Sequence, residues 1–131
     1  MIRKLCAEDI NEVVSIWYSA SVKAHDFIAE EFWRSQKEPM RDVYIPNSET
    51  WVYYLEDRIS GFISYYQGFI PALFVSPSDQ SKGIGTELLT TLKQHYNQLS
   101  LTVYAENTQA HSFYIRQGFI ELERKLCEHT G

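Results

Sequence analysis

DQSKGIGTELLTTL, Asp79 to Leu92, sets two glycines one residue apart at the head of a helical pattern, just after the strand-like run ALFV. Ile84, Leu88, Leu89 and Leu92 recur at helical spacing. Each glycine in a helix costs about 1 kcal/mol against alanine, so Gly83 and Gly85 point to close approach of something to the backbone. A helix N-terminus leaves free N–H groups and a partial positive charge, which suits an anion. A tight, capped strand-to-helix turn would use the same residues. Two familiar phosphate loops are excluded. No Gly-x-x-x-x-Gly-Lys-Ser/Thr string exists, and Leu88 stands where a dinucleotide fingerprint needs its third glycine.

Upstream of that stretch, IRKL reads as a short strand, and Ile10, Val13, Val14 and Trp17 predict an amphipathic helix from about Ala7 to Lys23. A second helical stretch, about Phe27 to Tyr44, is expected to break or kink at Pro39. TWVYYLE and RISGFISYYQGF are β-branched and aromatic runs joined at Glu56-Asp57-Arg58, a hairpin pattern, and IPALFV follows as another strand. Downstream, LSLTVYA alternates as a strand with Leu99, Leu101, Val103 and Ala105 on one side. Ala110, Phe113, Tyr114 and Gln117 share a face of a short helix that Gly118 would cap, and FIELERKL reads as a closing strand. The order β-α-α-β-β-β-α-β-α-β implies an α+β fold with both antiparallel and parallel strand pairs.

The 131 residues suit one domain with a single core. A net charge of −5 and a pI near 5.3 argue against a nucleic-acid backbone binder and suit a cationic partner such as an amine. Cys6 and Cys127 lie far apart and form no C-x-x-C pair, which reads as two reduced thiols in a cytoplasmic protein. With His25, His95, His111 and His129 they show no metal-ligand spacing, so no metal is expected. The N-terminus turns acidic before an apolar segment develops, so no signal peptide is expected, nor a membrane span.

NTQAHSFYIRQGF, Asn107 to Phe119, follows the LSLTVYA strand. Together with LFVSPSDQSKGIG it resembles the two signature segments of the GNAT superfamily, the Gcn5-related N-acetyltransferases. The first signature, Gln/Arg-x-x-Gly-x-Gly/Ala after a strand, is met by Gln80, Gly83 and Gly85. The second is met by Asn107, Ala110, Phe113, Tyr114, Gly118 and Phe119. The element order agrees along nearly the whole chain. The resemblance implies a GNAT fold: a mixed antiparallel and parallel sheet of about six strands flanked by four helices. It further implies acetyl-CoA as co-substrate and direct transfer of the acetyl group to a primary amine. A protein lysine or N-terminus leads, with polyamines and aminoglycosides next. An acyl-CoA-binding module with little turnover is the rival.

By the same resemblance the loop Gln80, Ser81, Lys82, Gly83, Ile84, Gly85 and Thr86 holds the pyrophosphate on backbone N–H groups. Lys82 either adds charge there or is a plain exposed lysine. The cofactor arm would lie between the diverging strands ALFV and LTVY, with a backbone N–H near Phe74 or Val75 polarising the thioester carbonyl. Asn107 contacts the arm, caps its helix, or does both; Phe113 belongs to the same segment. Tyr114 is the general acid toward the leaving thiolate, or a core tyrosine beside Phe113. Candidates for the base toward the amine are Glu106, His25 and a water held by Tyr65 or Tyr66. AHDFIAEEFW resembles a bacterial subgroup of small GNAT proteins that acetylate protein lysines, which puts His25 and Phe27 on the acceptor side. The family ends on a further strand beyond FIELERKL. Its apparent lack here would open a sheet edge to a second copy, a homodimer.

Overall fold

The computed structural model describes residues 1–121. Four antiparallel strands form one sheet in the order β1 (Ile2–Lys4), β2 (Glu49–Leu55), β3 (Arg58–Tyr66), β4 (Phe69–Val75). Glu56 and Asp57, at φ +50° and +65°, make the two-residue turn between β2 and β3. Gln67 and Gly68, at φ +47° and +87°, do the same between β3 and β4. Paired positive φ is the turn whose twist matches a hairpin.

Among the described residues five α-helical segments accompany the sheet: α1 (Ile10–Ala24), α2 (Glu30–Ser35), the single turn α3 (Lys37–Pro39), α4 (Ile84–His95) and α5 (Thr108–Arg116). The sheet separates two apolar layers, and its period-2 alternation sorts neighbouring residues between them. Val52 and Phe62 face α1, where Val13, Val14, Trp17, Trp33 and Ile45 are buried. Trp51 and Ile63 face α4 through Ile84, Leu88, Leu89 and Leu92. Gly61 on β3 admits α4 this closely, since a Cβ there would sit 2.9 Å from the Phe74 carbonyl oxygen and 3.2 Å from Ile84.

Three expectations are refined. The break in the second helical stretch falls at Gln36, not at Pro39. A proline ring clashes with the carbonyl four residues back, which here is Ser35, the last residue of α2. Pro39 therefore interrupts the helix one turn upstream of itself, and a π-helical turn over Met40–Tyr44 follows. LSLTVYA forms no full strand. Only Ser100 pairs, in parallel, with Phe69, so the described residues hold four strands and one bridge in place of about six strands. Of FIELERKL, Phe119–Glu121 lie in no strand, and the remainder, with Cys127 and His129, lies outside the described residues. Gly118, at φ +99°, follows α5 as expected.

Among the described residues no helix is long and apolar enough to cross a membrane. None of their histidines, cysteines and acids gather as a metal-binding group. Cys6 is a free, exposed thiol.

Candidate active site

The single parallel bridge is the hinge of a wedge. Ser100 N–H donates to the Gly68 carbonyl at 2.9 Å, and Ile70 N–H donates to the Ser100 carbonyl at 2.8 Å. Beyond that point β4 and Leu101–Tyr104 run on without a ladder. Among the described residues, one edge of β4 is thus left without partner backbone toward Val75. The pairing of β3 with β4 also carries an extra β4 residue between Ala72 and Phe69, a bulge at Ile70–Pro71 that helps the strands part.

Alternation along β4 shows which N–H groups face the wedge. Ser76 N–H donates to the Ser60 carbonyl at 2.7 Å, so Ser76 turns toward β3. With Val75 opposite Gly61 and Phe74 opposite Phe62, Phe74 turns toward β3 as well. Val75 and Leu73 turn outward. Of the two expected donors, Phe74 belongs to the β3 ladder and Val75 faces the wedge. The Phe74 ring stacks on Phe62, with centroids 5.9 Å apart.

Past Val75 the chain makes a short 3-10 turn, Pro77–Asp79, before α4. Gly83 is the N-cap of α4 at φ +82°, with no side-chain cap, and a Cβ there would meet nothing within 4 Å. The first N–H groups of α4, at Ile84, Gly85 and Thr86, are therefore not capped by the side chain of the N-cap residue. The loop's side chains are turned elsewhere. Gln80 Nε2 donates to the Val75 carbonyl at 3.1 Å, Lys82 Nζ to Asp79 at 3.2 Å, and the Thr86 hydroxyl accepts from Gln117 Nε2 at 3.3 Å. Ser81 is exposed at φ +69°. What the loop offers an anion is backbone at a helix N-terminus, a donor set that suits a phosphate group.

Asp79, missed by the sequence reading, holds this loop. Its buried carboxylate takes both Arg58 nitrogens, at 2.7 and 2.9 Å, besides Lys82. The Arg58 guanidinium, followed by the other partners, keeps Asp79 well below the usual carboxylate range against the opposing effect of burial. No sequence signal joins two residues 21 positions apart across a strand and a turn.

On α5, Phe113 packs over Gly85, its ring 3.5 Å from where a Cβ would be, so it braces α5 against the head of α4. Tyr114 lies between Phe113 and Phe119, at centroid distances of 5.1 and 5.5 Å. Burial pushes its phenol upward from the ordinary value, so the hydroxyl keeps its proton and stays a donor. Asn107 is the N-cap of α5, its Oδ1 accepting from Ala110 N–H at 3.1 Å, and its Nδ2 lies 2.9 Å from His25 Nε2.

His25 is not turned toward an acceptor. The residue is 6% exposed, and Nδ1 lies 3.1 Å from the Ser21 carbonyl, so both ring nitrogens have protein partners. Its ring stacks on Trp33 at 5.2 Å and meets the edges of Phe27 and Tyr104 at 5.7 and 5.0 Å. Burial lowers the imidazole below its ordinary value. This corrects the expected substrate-side and base roles: the lone pair a base needs is already committed. Phe27, half-buried against Tyr104, is part of the aromatic wall there. Glu106 sits exposed in the turn before Asn107. Tyr66 pairs opposite Phe69 at the closed end of the wedge, and Tyr65 stacks on Tyr96 at 3.7 Å. That geometry takes both tyrosines away from the open end.

A family model for the acetyltransferase (GNAT) domain matches residues 8–130. The chain is 33% identical over 120 residues to the peptidyl-lysine N-acetyltransferase YiaC of Escherichia coli, covering 91% of this chain and 82% of the relative. It is 30% identical over 131 residues to the peptidyl-lysine N-acetyltransferase YjaB of Escherichia coli, covering 99% and 88%. The solution structure of apo YjaB superposes with a TM-score of 0.80 at 28% identity over 90% of this chain and 80% of that one. In fold alone, the chain is similar to the paiA N-acetyltransferase of Thermoplasma acidophilum in complex with coenzyme A, at a TM-score of 0.85 and 19% identity, over 95% and 92% of the two chains.

Proposed function

The chain belongs to the GNAT acetyltransferase family and is an N-acetyltransferase, and on that premise we propose that it transfers the acetyl group of acetyl-CoA to lysine side chains of proteins, directly and without an acyl-enzyme. The observation that carries this reading is the wedge: β4 and Leu101–Tyr104 joined only at Phe69 and Ser100, opening toward a glycine-capped helix. The names of the two bacterial relatives, both peptidyl-lysine N-acetyltransferases, support lysine as the acceptor.

The open backbone from Ser81 to Thr86 receives the pyrophosphate, and the positive end of α4 favours its charge. An amide-bearing arm fits along β4, where the outward backbone groups of Leu73 and Val75 lack a strand partner. Val75 N–H is the donor to the thioester oxygen, a contact that strengthens as negative charge gathers there. The amine nitrogen attacks the carbonyl carbon, the new C–N bond forms and the C–S bond breaks. The sulfur leaves as thiolate and takes the hydrogen bond, then the proton, of Tyr114, whose phenol is restored by the proton that the amine gives to water. A phenol raised by burial gives its proton up less readily than a free one, so its help lies chiefly in a hydrogen bond that tightens as sulfur becomes charged. The proton lost by the amine goes to water at the open mouth, beside the exposed Glu106. Cytoplasmic residence is part of the same proposal, supported by the location of acetyl-CoA as an intracellular metabolite.

The test is release of free thiol from acetyl-CoA in the presence of lysine peptides, peptides with only a free N-terminus, polyamines and aminoglycosides. Release with lysine peptides foremost is expected. Transfer confined to small amines would overturn the acceptor. Acetyl-CoA binding with no transfer to any of them would overturn turnover itself.

A further inference from the structure

Two bonds on the Asn107 carboxamide leave one self-consistent proton arrangement. Oδ1 accepts from Ala110 N–H at 3.1 Å, so the amide nitrogen is the group that faces His25 Nε2 at 2.9 Å. An amide nitrogen only donates, so Nε2 must be the bare nitrogen of a neutral ring. The proton then sits on Nδ1, which points at the Ser21 carbonyl 3.1 Å away, an acceptor only. Every group in the chain Ser21–His25–Asn107–Ala110 is thereby matched donor to acceptor. A proton on Nε2 would set N–H against N–H and break it.

The two ends of this chain belong to different halves of the molecule. Ser21 lies on α1, and His25 follows it, packed among the rings of Phe27, Trp33 and Tyr104. Asn107 caps α5, the helix that carries Tyr114. The sequence separation is 82 residues. After its two bonds the carboxamide retains one N–H and one lone pair, the complement of a secondary amide.

We infer that His25 is a positioning residue: as the Nδ1–H tautomer it fixes the orientation of the Asn107 carboxamide, so that α5 presents one donor and one acceptor to the amide-bearing arm of acetyl-CoA. The inference rests on the wedge reading of the cofactor site. It differs from a packing role, because the ring's stacking contacts need no nitrogen. Its burial, which disfavours the charged imidazolium, keeps the bare nitrogen available at neutral pH.

Two substitutions in the full chain separate hydrogen bond from ring. His25→Phe keeps an aromatic ring and removes both nitrogens. His25→Gln loses the ring and offers a carbonyl oxygen to Asn107. Loss of one hydrogen bond in the binding site raises the acetyl-CoA KM and Kd of His25→Phe by about five- to tenfold with kcat changed by less than about threefold, while His25→Gln stays within about twofold of wild type. A Phe variant that matches wild type, or a Gln variant no better than Phe, overturns the inference. Side-chain 15N NMR of the unliganded protein is the second readout. Nε2 is expected to resonate as an unprotonated nitrogen and Nδ1 as a protonated one, and a proton found on Nε2 overturns the assignment. Because the NMR and the Kd by calorimetry need no acceptor, a wrong acceptor class would leave them readable. Absence of acetyl-CoA binding by wild type would instead strike the cofactor-site reading, whatever the tautomer.

Discussion

The Asp79 carboxylate, 1% exposed, accepts both guanidinium nitrogens of Arg58, a residue whose own side chain is 46% exposed. This pair fastens the loop before α4 to the first residue of β3. Asp79→Asn keeps the shape and removes the charge. The expected loss is about 2 kcal/mol of stability by urea unfolding, the scale for a charge-assisted bond with a solvent-screened partner. Acetyl-CoA affinity should fall with it, by about tenfold, the factor that corresponds to 1.4 kcal/mol of loop ordering. The folded carboxyl is held below its ordinary value of 3.8, first by the Arg58 bond. Its stabilisation is therefore complete above pH 3.8 and lost as pH falls below it. A variant that binds acetyl-CoA as wild type does would free the loop from this clamp.

Gly83 offers a charge test of the anion site with little steric ambiguity. A side chain there meets nothing within 4 Å, and the residue sits at φ +82°, where asparagine and aspartate are the side chains best tolerated. Gly83→Asn and Gly83→Asp should each lose about 1 kcal/mol of stability. They differ in charge alone, and a carboxylate near the pyrophosphate is repelled. The Asp variant should bind acetyl-CoA at least about tenfold more weakly than the Asn variant, the gap narrowing at high salt. Equal affinities in calorimetry would show that the helix terminus does not face the phosphates.

Periodicity made the layers legible. The helical face of Ile84, Leu88, Leu89 and Leu92 is buried as a set, and the alternation of Trp51 with Val52 sorts into opposite layers. The signature segments put Gly83, Asn107 and Tyr114 around one region before any coordinates. Alternation says which face of an extended run is buried, not whether its edge is hydrogen-bonded. LSLTVYA thus reads as a strand, though only Ser100 bridges. The side chains of Gln80, Lys82 and Thr86 could not be assigned either, because their partners, the Val75 carbonyl, Asp79 and Gln117, come together only in the fold. His25 shows the same limit. A histidine between two helices fits a base, a ligand or a buried link, and Asn107 decides among them from 82 residues away.

Burial of His25 has a consequence for acid stability. Desolvation lowers the folded imidazole below its ordinary value of 6.5, partly offset by the Ser21 backbone bond. The groups facing it are the Ser21 carbonyl, the Phe27 and Trp33 rings, Tyr104 and the Asn107 amide. The unfolded chain then takes up a proton near pH 6.5 that the folded one refuses until lower pH, so stability falls as pH drops below 6.5. His25→Gln lacks this response. The stability of wild type relative to that variant should decline between pH 7.5 and 5, with a slope of at most about 1.4 kcal/mol per pH unit for one group. A pH-independent difference in urea unfolding would show that His25 titrates alike in both states.

Tyr114→Phe keeps the ring contacts with Phe113 and Phe119 and removes only the hydroxyl. If that hydroxyl stabilises the departing thiolate, kcat should fall by about 10²-fold, while acetyl-CoA Kd stays within about threefold. The pH profile makes the test sharper. Burial raises the phenol above its ordinary value of 10.0, so it remains a donor across the neutral and mildly alkaline range. The acceptor lysine, with a free value of about 10.4, instead gains reactivity as pH rises. For wild type, kcat/KM should therefore climb from pH 7 to about 9 with no downturn from Tyr114, because its folded phenol ionises only above its ordinary value. A downturn in that range that disappears in Tyr114→Phe would mean that the phenol ionises early. An unchanged kcat in the variant would make Tyr114 a core residue and leave the thiolate to be protonated by water at the mouth of the wedge.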